Sequence, residues 1–141
     1  MRTTMQDNLT EAKKAYGEHN GCPEHKNTSW RGEFCSAEEF IAMLPQVIRD
    51  YNMFDSEDVI DIIGCLPKYE YALAREGSVA IYIKGLKTRV DVNKLKEAFQ
   101  WADEFDFQIP KEDSEEGWKY ASAEDMTDEE IPNSQLRIWW D

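Results

Sequence analysis

Cysteine, long apolar runs and basic side chains are all scarce in this 141-residue chain, and each scarcity removes a class of function. Three cysteines are an odd count and too few for a disulfide scaffold. No apolar run approaches the ~18 residues of a membrane span, and Met1-Arg2-Thr3-Thr4 is not followed by the apolar core of a signal peptide. The sequence therefore predicts a cytoplasmic protein with no membrane partner. Lys and Arg number 16 against 29 Asp and Glu, a formal charge of −13 that repels DNA, RNA and anionic membranes. That argues against direct nucleic-acid binding. Catalytic signatures are missing too: there is no P-loop, dinucleotide fingerprint, EF-hand loop, Gly-x-Ser-x-Gly elbow or internal repeat. No residue is assigned as catalytic, and enzyme is the lesser reading.

What is present suffices for one domain over residues 1–141, with 41% apolar side chains to build a core. The stretch Ser78-Val79-Ala80-Ile81-Tyr82-Ile83, set between Gly77 and Gly85, reads as a central strand, apolar on both faces. Before it, a helix is predicted over residues 3–16. A long polar loop follows at 17–35. Ser36 and Glu39 form a capping box that opens a helix carrying Phe40, Leu44, Val47 and Tyr51 on one side, with a kink or break expected at Pro45. Ser56 is read as the cap of a helix over 57–63, and a further helical piece is expected from Pro67 to about Arg75. After the central strand, Asp91 opens a helix to about Glu104. Alternating patterns then predict strands near 105–109, 117–121 and 135–140. The expected fold is α+β: a small antiparallel or mixed sheet of about four strands packed against three to five helices, with the helices mostly N-terminal.

Charge is distributed unevenly. Residues 103–130 hold 12 acidic and 2 basic side chains, net −10, whereas residues 1–102 sum to −3. The acids are Asp103, Glu104, Asp106, Glu112, Asp113, Glu115, Glu116, Glu124, Asp125, Asp128, Glu129 and Glu130, and this segment is expected to border the sheet. One account is a solvated rim that keeps edge strands from pairing. The sharper account is a recognition surface: the acids steer a basic protein onto the chain, and Trp118, Tyr120 and Trp139 supply apolar anchors. Carboxylates spaced along structured loops imitate a nucleic-acid backbone, so a stoichiometric inhibitor or adaptor of a nucleic-acid-binding protein belongs in this class. A basic group at Lys84, Lys87, Arg89, Lys94 and Lys96 suggests either a dipolar surface or self-association with the acidic stretch of another copy.

One constellation has ligand-like spacing. His19-x2-Cys22-x2-His25-x9-Cys35 gathers both histidines and two of the three cysteines within the 17–35 loop, the inventory of a tetrahedral zinc site. A bound zinc would order so long a polar loop, although the spacing matches no familiar zinc knuckle. No other cofactor is implied. Two rival functions follow: a small metal-dependent or cysteine enzyme centred on 19–35, and a structural or assembly subunit. Cys65, beside an apolar helix, is expected to be a buried small hydrophobe.

Overall fold

The computed structural model describes residues 5–17, 29–51, 54–110 and 118–140. In chain order the elements are α1 (Met5–Ala15), β1 (Ser29–Arg31), β2 (Cys35–Ser36), α2 (Ala37–Val47), β3 (Asp50–Tyr51), β4 (Phe54–Asp55), α3 (Ser56–Gly64), β5 (Glu70–Glu76), β6 (Ser78–Lys84), α4 (Arg89–Ala98), β7 (Glu104–Pro110), β8 (Trp118–Ala121) and β9 (Gln135–Trp140). A 3-10 turn at Ile131–Asn133 leads into β9. The main sheet is antiparallel and runs β1-β5-β6-β9-β7-β8, with β2 on the same edge of β5 as β1. β3 and β4 pair as a separate ribbon. Among the described residues, no helix is long and apolar enough to cross a membrane.

This corrects the expected fold. Among the described residues the predicted sheet of about four strands becomes seven strands plus a two-stranded ribbon, curled into a half-barrel, with four helices. The largest difference is β5. Glu70–Glu76 is rich in Ala, Leu, Arg and Glu, good helix formers separated from poorer ones by only about 0.7 kcal/mol per residue. Pairing along the full length of β6, with β1 and β2 on the far side, buries both faces of the segment and satisfies its ladder, which outweighs that preference. Gly77 turns the β5–β6 hairpin at φ +74°, a conformation that disfavours any side chain. The 17–35 segment likewise contributes β1 and β2. The chain approaches closely between them: a Cβ on Gly32 would lie 2.8 Å from both Trp30 and Asn8, and 3.0 Å from the Leu73 carbonyl.

Helix ends also differ from expectation. Asp55 caps α3, accepting from the amides of Glu57 and Asp58, so Ser56 is the first helical residue. Thr88 is the N-cap of α4 and Asp91 its N3 partner; the helix ends at Ala98, before the chain turns into β7. Pro45 lies inside α2 near its end and does not split it.

Strand alternation makes two faces. One carries Tyr71, Leu73, Val79, Ile81, Ile83, Phe107, Leu136, Ile138 and Trp140, and the apolar sides of all four helices pack into the same core. Arg75 is buried on this face and closes the end of α1, donating to the Ala15 carbonyl at 2.9 Å. The other face holds a small cluster of Ala72, Ala74, Ala80 and Tyr82 with Phe34 and Trp139 against it, and among the described residues no helix contributes to that cluster. We call it the open face.

Candidate binding surface

Register places the outward residues of the C-terminal strands side by side on the open face. Trp139 pairs with Glu104, Arg137 with Asp106 and Gln135 with Gln108, while Gln108 pairs with Tyr120 and Pro110 with Trp118. Five of the predicted partner-binding residues, Glu104, Asp106, Trp118, Tyr120 and Trp139, therefore share one surface. Sequence reasoning missed the group at its centre. Arg137 holds Glu76 at 2.7 Å, Glu104 at 2.8 Å and Asp106 at 3.6 Å, and its side chain is only 13% exposed. Burial pushes the Asp106 carboxyl up, Arg137 pulls it down, and Glu104 and Glu76 add repulsion; the outcome lies above the ordinary value. The Tyr82 hydroxyl donates to Glu76 and is pushed up to about 12, first by burial and then by that carboxylate. One guanidinium faces three carboxylates, so the cluster keeps a negative balance.

The neighbouring half of the open face is filled by its own side chains. The Arg31 guanidinium stacks 4.3 Å from the Tyr82 ring and 5.2 Å from Phe34, and donates to Gln135. β5 and β6 separate β1 from β9, so a flat sheet would put these backbones about 14 Å apart across the strands alone. The two long side chains reach across that distance, over strands that carry the small Ala72, Ala74 and Ala80 on this face. The Trp139 indole donates to the Glu76 carbonyl at 3.0 Å, which ties it into the surface. Tyr120 is the aromatic left free, 63% exposed, with Trp118 half-buried nearby on the same strand.

The remaining acids are arranged differently. After β8 the chain folds back along α4, where Arg89 donates to the carbonyls of Ala123 and Met126 and pairs with Asp128 at 3.3 Å. Lys96 pairs with Glu124 at 2.5 Å, and Lys119 with Glu130 at 2.6 Å. Part of the basic group thus meets part of the acidic stretch within one chain. Asp125 and Glu129 are exposed and make no ion pair among the described residues. Asp103 is exposed at the start of β7, where its amide donates to the Trp139 carbonyl. Glu112, Asp113, Glu115 and Glu116 lie outside the described residues.

Of the zinc candidates, His19, Cys22 and His25 also lie outside the described residues. Cys35 lies on β2, half-buried, and its thiol donates to the Tyr71 carbonyl at 3.5 Å. Burial, then Glu39 and Glu70, push that thiol up to about 12, opposite to the thiolate a metal requires. No group of three or more His, Cys, Asp or Glu among the described residues is arranged to hold a metal ion. Cys65 is exposed, contrary to expectation, because it lies just past the end of α3. A cleft of about 200 Å³ beside α4 is lined by Phe99, Ala102, Phe105 and Ala123 together with Lys96 and Glu124, without a nucleophile–base pair. No protein-family model matches the chain, and neither a curated protein nor a solved structure does.

Proposed function

We propose that this chain is a non-catalytic binding protein, an inhibitor or adaptor, that presents the β7–β8 end of its sheet to a partner with a basic surface. The observation that carries this reading is the one-sided packing of the fold. Among the described residues, all four helices share the core of one sheet face, whereas Glu104, Asp106, Trp118, Tyr120 and Trp139 stand together on the face to which none of these helices contributes. The residues joining β7 to β8 add Glu112, Asp113, Glu115 and Glu116 in sequence, and the chain as a whole carries −13. Charge of that size speeds encounter with a basic surface, and exposed aromatics supply contact that charge alone lacks. A nucleic-acid-binding protein is the partner class that fits a segment with 12 acids in residues 103–130, with the chain occupying the groove in place of the nucleic acid.

Affinity capture from a lysate of the native host, run beside a variant with Glu112, Asp113, Glu115 and Glu116 changed to Lys, tests the reading. A basic protein retained by the native chain, lost by the variant and released by added duplex DNA or RNA is the expected result. Equal recovery by both chains overturns the recognition surface. Recovery that nucleic acid leaves untouched overturns the mimicry while leaving the surface in place.

A further inference from the structure

The main sheet ends on β8. At the opposite end, β1 and β2 in tandem cover the outer edge of β5, whereas among the described residues no strand pairs with the outer edge of β8. A strand with a single neighbour leaves backbone N–H and C=O groups facing outward, a template for another extended chain. Proteins usually guard such an edge with charge, and the sequence on either side of β8 is mostly acidic. Lys119 is the strand's one charged side chain, and Glu130 already holds it. In sequence, β8 is preceded by Glu112, Asp113, Glu115 and Glu116 and followed by Asp125 and Glu129. On the open face it displays Tyr120 and Trp118.

We propose that β8 is a docking strand that takes a basic, extended segment of the partner protein as an additional strand of the sheet. The ladder supplies the affinity of the pairing. The chain's net charge of −13 favours lysine and arginine in the incoming segment, and its apolar side chains lie against Tyr120 and Trp118. A second copy of this chain is a poor occupant, because it would bring another −13 to the same edge. The inference rests on the binding function proposed above and specifies how the partner is held.

The test uses the full-length protein and two synthetic peptides. One alternates lysine with valine or threonine; the other has the same sequence with alternate backbone amides N-methylated, which keeps the charge and removes ladder donors. The unmodified peptide is expected to bind, to slow hydrogen exchange by about tenfold or more at those amides of β8 that point away from β7, and to lose affinity as salt rises. The methylated peptide is expected to bind at least about tenfold more weakly, and Tyr120→Ala to weaken the unmodified peptide. If both peptides bind equally and β8 amides stay unprotected, strand pairing is overturned while the acidic binding surface stands. If neither binds, both proposals fall. A free protein that sediments as a dimer with β8 already protected makes a second copy the occupant and overturns the inference.

Discussion

Lys96 on α4 holds Glu124 at 2.5 Å, joining the basic and acidic groups of the chain across 28 residues of sequence. Arg89, two turns earlier on the same helix, does the same for Asp128. These contacts change the reading of the acidic segment. Three of its twelve acids, Glu124, Asp128 and Glu130, are paired to cations along α4 and β8. Glu104 and Asp106 share Arg137 on the open face, and Asp125 and Glu129 make no ion pair among the described residues.

The two contacts differ in weight. Lys96 and Glu124 are both exposed, and such pairs contribute little. Lys96→Ala is expected to leave the urea midpoint unchanged. Arg89 also satisfies two carbonyls of the segment that carries the buried Ala123 and Met126. Arg89→Ala is expected to cost about 1–3 kcal/mol and to speed amide exchange across residues 122–130. Equal midpoints for the two variants would contradict this account.

Asp91 is buried, and its carboxylate is fully used: it accepts from the Tyr69 hydroxyl, from Lys68 at 2.8 Å, and from the amides of Lys87 and Thr88 at 2.9 and 3.1 Å. Burial alone would raise its pKa; the hydrogen bonds outweigh that and hold it well below the ordinary carboxylate value. Asp91→Ala leaves those donors without their acceptor and is expected to cost about 2–4 kcal/mol. Because the folded group titrates below the unfolded one, its contribution is complete above the ordinary range, about pH 4. It disappears as pH falls towards the folded value. Urea midpoints measured from neutral pH to below pH ~4 are therefore expected to drop less in Asp91→Asn than in the native chain.

Removing Arg137 leaves Glu76, Glu104 and Asp106 facing one another. Arg137→Ala is expected to destabilise by about 2 kcal/mol at neutral pH, less than for a fully buried pair because Glu104 and Asp106 keep contact with water. Burial already raises the Asp106 carboxyl, and without the guanidinium nothing pulls it back down, so protonation of Asp106 favours the folded state. The deficit should shrink as pH falls through the carboxylate range. Parallel midpoint curves for native and variant chains would rule the cluster out as the cause.

The cysteines should separate by reactivity. Cys65 is exposed, whereas Cys35 is half-buried with its thiol pushed up to about 12. At pH ~8, iodoacetamide labelling read by peptide mass mapping is expected to modify Cys65 at least about tenfold faster. Equal rates would place Cys35 in a thiolate-stabilising environment and revive its candidacy as a zinc ligand.

Local patterns were legible where one segment carries its own signal. The alternation of Leu136, Ile138 and Trp140 with Arg137 and Trp139 identifies β9 and its two faces, and Ser36 with Glu39 marks the start of α2. Glu70–Glu76 hid its strand because its residues favour a helix in isolation, and only pairing on both sides reverses that. Arg137 was visible as a residue, but its three acidic partners arrive from β5 and β7, which no linear spacing reveals.

The sequence by itself determined the net charge, its concentration in residues 103–130 and the residues that stand on alternate sides of β7, β8 and β9. These are properties of composition and of a two-residue period. Tertiary structure decided which of those charges are free. An ion pair forms between side chains brought within a few ångströms, and strand order and the fold-back along α4 set those distances. Among the described strands the same topology left β8 as an edge with Tyr120 exposed, since an edge exists only relative to the strands that lie beside it.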